Sequence, residues 1–281
     1  KNPATWKDLA RAVKSAPDNA VITINGEIQA TDVTDDKSEI DVKKNLTIKG
    51  ENNAVLNALG KQGIFDAYKT LTLQDITLKN SKKPSNYSGG AGVYVNSHGT
   101  LIMKGSSVIT ECSAVNWGGG VYVGGGTFEM HDTSAITGCT ASKGGGVYVS
   151  GTFKMKGSAI VTPSTSGDTD KPGKNDVYLE DGKTITVDGI LLNAHAARIT
   201  PELYKKQTVL QAGSGVTLAN EVDKFAVTSK VIKDGIAEIW EIKSTGDLEK
   251  SKYIDVRYDK LAYYLSSSYA SSHAVEGINY I

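Results

Sequence analysis

The sequence predicts an all-β chain, a single-stranded right-handed parallel β-helix with a capping helix at its N-terminus and a short helix near its C-terminus. Three observations carry that expectation. The phrase Gly118-Gly119-Gly120-Val121-Tyr122-Val123 returns as Gly144-Gly145-Gly146-Val147-Tyr148-Val149. A looser copy stands at Gly89-Gly90-Ala91-Gly92-Val93-Tyr94-Val95 and a decayed one at Asp176-Val177-Tyr178-Leu179. The leading valines lie 28, 26 and 30 residues apart, a period that belongs to stacked coils. Thirty glycines against four phenylalanines fit many turns around a slim core.

Taken in order, Thr5 followed by Asp8 is an N-cap signature. Trp6, Leu9, Ala10 and Val13 then fall on one helical face, and Pro17 ends the helix. Residues 1–20 are therefore read as an N-terminal cap. Strand signals start at Val21-Ile22-Thr23-Ile24, with Asn25-Gly26 as a turn pair, and resume at Ile40, Val42, Leu46 and Ile48 after the polar loop 34–39. Val55-Leu56, Gly63-Ile64-Phe65 and Leu71 to Leu78 continue in short alternating pieces. Hairpins would give such a pattern locally; the long period selects coils.

The coils align into columns. Leu101, Phe128, Phe153 and Ile185 form one inward column, and Met103, Met130, Met155 and Val187 a second. Between them Ile102, Glu129, Lys154 and Thr186 make a solvated column. Stacked at roughly 4.8 Å, seven or eight coils fit between Val21 and Leu218, and the β-helix is placed at 21–250. Val216-Thr217-Leu218, Phe225-Ala226-Val227 and Ile239 to Ile242 are expected to be closing strands, with Asp234-Gly235 as a turn. Residues 251–281 are read as a C-terminal cap or the start of a second module. Tyr258, Leu261, Ala262 and Leu265 repeat the spacing of Trp6, Leu9, Ala10 and Val13, which predicts a helix over 258–272. With Lys at position 1 and no leader-type segment, the chain is expected to begin after a removed leader or inside a longer protein.

The run Ala135 to Lys143 with Gly144 to Val149 resembles the β-helical repeats of large bacterial surface proteins. Similar phrases occur in spirochaete surface repeat proteins and chlamydial polymorphic outer membrane proteins; the chain lacks the recurrent Phe-x-x-Asn of the latter. The stretch Trp6 to Ile28 is similar to the helix-then-strand entry of pectin-lyase-like β-helices. The resemblance covers roughly residues 89–192 and 5–28. It implies a secreted or cell-surface location and a module that serves as adhesin, passenger or polysaccharide-degrading enzyme.

Thirty-one basic and 31 acidic side chains cancel, so no bulk field draws nucleic acid. No run of 18 apolar residues is present, so no membrane-inserted helix is expected within this segment. Polysaccharide hydrolases work with converging carboxylates. The fragments Asp35-Asp36, Ser97-His98-Gly99 and Arg198-Ile199-Thr200 lie coils apart and do not assemble into such a site. Arg11, Arg198 and Arg257 are the only arginines, and none adjoins an acidic cluster. His98, His131, His195 and His273 lack metal-ligand spacing. Glycine runs that feed strands rather than helices serve turning, not phosphate binding. No cofactor and no catalytic residue is expected. Cys112 and Cys139 occupy one column on adjacent coils, as a disulfide or as two stacked buried thiols.

With the valines turned inward, Tyr94, Tyr122, Tyr148 and Tyr178 form an outward row. Such a row stabilises the sheet through neighbour contacts, or it serves as a ligand-binding face for a host extracellular protein or a glycan. The expected function is a non-enzymatic, surface-exposed adhesin or rigid stalk; the alternative is a carbohydrate-active enzyme on the same fold.

Overall fold

The computed structural model describes residues 2–33, 39–83, 89–161, 172–233 and 236–256. Half of it is strand, wound into a right-handed parallel β-helix of about 7 turns. The helix Trp6–Ser15 caps the first coil, with the Thr5 side chain accepting a hydrogen bond from the Asp8 amide. Its apolar stripe of Trp6, Leu9 and Val13 is buried on the end of the coil stack. That stripe covers core residues which a bare first coil would leave to water.

Each coil returns to the same three lines of strands. One line carries the register Leu46, Leu71, Leu101, Phe128, Phe153, Ile185, Leu210, and two places on, Ile48, Leu73, Met103, Met130, Met155, Val187, Ala212. From Leu71 to Leu210 in the first column, and from Ile48 to Val187 in the second, every side chain is fully buried, as the alternation requires. Phe128 and Phe153 stack with centroids 4.9 Å apart. The second line holds Leu56, Leu78, Ile109, Ile136 and Val161, also inward and fully buried. The third line is the Val-Tyr-Val strands, in parallel register from Ile40–Val42 through Phe65–Ala67, Val93–Val95, Val121–Val123 and Val147–Val149 to Val177–Leu179.

Two local expectations are corrected. Asn25-Gly26 does not end a strand: Ala20–Gln29 runs on through a bulge, with Gly26 at φ 74°. Val216-Thr217-Leu218 is not a strand but a turn followed by the short helices Leu218–Asn220 and Val222–Lys224. The buried Glu221 carboxylate fixes this segment instead, accepting from the Leu191 amide and Lys224 Nζ. Parallel pairing reaches Phe225–Val227. An antiparallel sheet of Gln207–Thr208, Lys230–Lys233, Ile236–Ile242 and Asp247–Val256 then closes the C-terminal end, with Leu248 buried beneath it. The closing strand Asp247–Val256 runs across residue 250. The turn pair Asp234-Gly235 and the expected helix at 258–272 lie outside the described residues.

Candidate binding face

The third strand line decides what the tyrosines do. Because Val93, Val121, Val147 and Val177 and the third residue of each strand are buried, the middle residue is directed away from the core. Register makes the outward column Asp41, Asp66, Tyr94, Tyr122, Tyr148, Tyr178 and Thr200. Successive tyrosine centroids are each 5.1 Å apart, at interplanar angles of 21°, 80° and 9°. The rings therefore stack chiefly on one another, and much of their π surface faces neighbouring rings.

A second layer lies over this row. Trp117 sits 6.1 Å from the Tyr122 ring and 6.0 Å from Tyr148, tilted against both. Lys83 Nζ stands 5.7 Å from the Tyr94 centroid, and Lys143 Nζ 4.9 Å from that of Tyr178. The Tyr148 hydroxyl donates to Glu180 Oε1 at 2.7 Å. Tyr148 and Tyr178 are in consequence only 5% and 6% exposed, whereas Tyr94, Tyr122 and Trp117 remain half-buried. Burial raises all four phenol pKa values above the ordinary tyrosine range, most strongly at Tyr148, where the Glu180 carboxylate adds to it. The phenols stay neutral donors at any physiological pH.

At the N-terminal end the row runs into a charged cluster. Lys83, 4% exposed, lies 3.1 Å from Glu39 Oε1 and 3.9 Å from Asp66 Oδ1, and donates weakly to the Gly89 carbonyl. Asp66 Oδ1 is buried without a hydrogen bond, and burial pushes this carboxyl up to about 6 despite the Lys83 ammonium. Asp41, one coil earlier, is paired with Lys43 at 2.5 Å.

The other sequence candidates stay apart. His98 is exposed beside Ser97 in the turn after Tyr94, while Arg198 is buried several coils on and donates to the Lys174 carbonyl. Asp35 and Asp36 lie outside the described residues. His131 meets Glu129 at 3.2 Å on the solvated column, and Lys154 meets the same carboxylate. Cys112 and Cys139 are free thiols, both buried; burial raises the Cys139 pKa. Among the described residues no His, Cys, Asp and Glu group has the arrangement to hold a metal, and no helix is long and apolar enough to cross a membrane.

Sequence reasoning missed Trp117, Lys83 and Asp66. Two of them left a signal. Trp117 and Lys143 each immediately precede a glycine run, and they pair as neighbours in adjacent coils. Phe65-Asp66-Ala67 has the in-out-in form of Val93-Tyr94-Val95 one coil earlier. Comparisons with protein-family models, curated sequences and solved structures found no match, and the likeness to surface repeat proteins rests on the sequence phrases alone.

Proposed function

We propose that this chain is a rigid, non-enzymatic β-helical module of a bacterial surface protein, an adhesin or stalk that engages a host protein or glycan through the Tyr94–Tyr122–Trp117 patch. The observation that carries the reading is the uneven covering of the aromatic row. Two tyrosines are buried beneath their neighbours, while two tyrosines and a tryptophan stay accessible on a stiff sheet. Accessible aromatics on a rigid support lose little conformational entropy on binding, which suits a recognition surface. Matrix proteins and a glycan array, probed with the wild type and with Tyr94→Ser/Tyr122→Ser, test it. Binding that survives the double substitution contradicts the reading.

A carbohydrate-active enzyme is the second reading, favoured by Glu39 and Asp66 converging on Lys83 beside Tyr94. A carboxyl pushed up to about 6 is in the range of a general acid. Polysaccharide turnover abolished by Asp66→Asn would favour it over the first.

A further inference from the structure

Beside the aromatic patch, we propose that the chain closes a covalent bond of its own: an amide between Lys83 Nζ and Glu39 Cδ, with Asp66 carrying the protons. Three successive coils supply the three groups. Glu39 leads into Ile40–Val42, Asp66 lies on Phe65–Ala67, and Lys83 closes the short strand Lys82–Lys83 on the way to Val93–Val95. Lys83 Nζ stands 3.1 Å from Glu39 Oε1 and 3.9 Å from Asp66 Oδ1. The Lys83, Glu39 and Asp66 side chains are only 4%, 17% and 14% exposed, so the reacting groups meet with little access for water.

As an ion pair this cluster is poorly balanced. Two carboxyls surround one ammonium, and Asp66 Oδ1 is buried without a hydrogen bond. Among the described residues Nζ otherwise reaches the Gly89 carbonyl, at 3.4 Å, and the Tyr94 ring, at 5.7 Å. Buried charges that are imperfectly paired are costly, and turning an ammonium and a carboxylate into a neutral amide removes two of them. Placement supplies the rest. Free in water, an amine and a carboxylate do not condense, but partners held in contact react at effective molarities of about 10⁵–10⁸ M. Glu39 is held: its side chain lies over Gly63, where a Cβ would come within 2.8 Å of its Cγ and Oε1.

The reaction balances without an oxidant or a cofactor. The Asp66 carboxylate takes a proton from the Lys83 ammonium, and the freed lone pair attacks Glu39 Cδ. The Nζ–Cδ bond forms, and Asp66 returns its proton to a Glu39 oxygen. A second nitrogen proton follows by the same route, and that oxygen leaves as water when its bond to Cδ breaks. A carboxyl pushed up to about 6 by burial can take and return protons near neutral pH, and Asp66 ends as it began. The bond ties the first coil to the third. That suits a stalk, because Ile40–Val42 pairs on one side only, with Phe65–Ala67, and has no earlier coil to hold it.

Mass spectrometry of the intact, denatured full chain tests the proposal. The expected mass is that of the sequence less one water, and proteolysis should yield a branched peptide joining Glu39 to Lys83. Lys83→Arg, which keeps the cation, and Glu39→Ala should both have the full mass of their sequences. Asp66→Ala, compared at equal times after synthesis, should show at least a ten-fold smaller linked fraction. The wild-type mass decides even where a variant fails to fold. A wild-type chain at full sequence mass, a deficit that persists in Lys83→Arg, a branch at Asp66 instead of Glu39, or an undiminished linked fraction in Asp66→Ala overturns the proposal. A linked chain also takes Glu39 and Lys83 away from the enzyme reading, while the binding face at Tyr94 and Tyr122 stands or falls separately.

Discussion

At Gly119 a Cβ would lie 2.4 Å from the Thr140 carbonyl oxygen and 2.5 Å from that of Gly145. The residue before it, Gly118, has φ 59°, and Gly144 in the next copy has φ 61°. The sequence reading gave all the glycines of the run one duty, turning at positive φ. The structure divides the work: the first glycine turns, and the next two let the backbone of the neighbouring coil approach. Gly119→Ala should therefore cost about 3 kcal/mol, because backbone atoms must move. Gly182→Ala, at φ 74° with nothing within 4 Å, should cost about 1 kcal/mol from backbone conformation alone. Urea denaturation of both variants checks the difference. Asp66 gives the second residue-scale prediction. Its folded pKa of about 6 lies above the unfolded carboxylate value, so its contribution to stability is full at low pH and is lost as pH rises through 6. Asp66→Asn should be more stable than wild type by about 1–3 kcal/mol at pH 7.5, the gap closing by pH 4. Denaturation midpoints at the two pH values measure it. Glu39, Lys83, Asp41, Lys43, Tyr68 and Tyr94 are the charged and titratable groups around it, and a gap that does not change with pH would contradict the raised pKa of Asp66.

At the scale of the element, the decayed copy at Lys174-Asn175-Asp176 shows how a coil survives without its glycines. Asn175 Oδ1 accepts from the Cys139 amide, and its Nδ2 donates to the Ile136 carbonyl. Asp176 Oδ1 accepts from the amides of Gly145 and Gly173, and Oδ2 accepts from the Thr200 hydroxyl at 2.5 Å. Thr200 in turn meets Thr228 Oγ1 at 2.7 Å. Side chains here do what close backbone contact does in the earlier coils. Removing this buried charge-assisted acceptor by Asp176→Ala should cost about 3 kcal/mol, and Asp176→Asn less, read by chemical denaturation. None of this was legible beforehand, since Asn-Asp before Val177 reads as an ordinary turn. The columns, by contrast, were legible. Met103, Met130 and Met155 share a register because the alternation that buries them is written in each strand. Cys112 and Cys139 fell on adjacent coils for the same reason, and they are free thiols rather than a bridge.

For the molecule as a whole, repetition made the architecture readable and hid the division of labour within the tyrosine row. Four equivalent tyrosines in the sequence become two accessible and two buried ones. Their fate is set by Trp117, Lys143 and Glu180, which come from outside the repeated phrase. The two ends differ as well. Trp6, Leu9 and Val13 close one with a helix whose cap and stripe were visible in the sequence. The other is covered by an antiparallel sheet of which only the strand Ile236–Ile242 was expected, at Ile239 to Ile242, and whose pairing was not. The central claim is that recognition belongs to the Tyr94–Tyr122 half of the row and stability to the Tyr148–Tyr178 half. Partner affinity and thermal midpoint, measured together for the two paired serine substitutions, test it most directly. Tyr94→Ser/Tyr122→Ser should lose binding at least ten-fold with only a small fall in midpoint, whereas Tyr148→Ser/Tyr178→Ser should lower stability by about 3–5 kcal/mol, the folded fraction still binding. Equal effects of the two pairs on both readouts would contradict the claim.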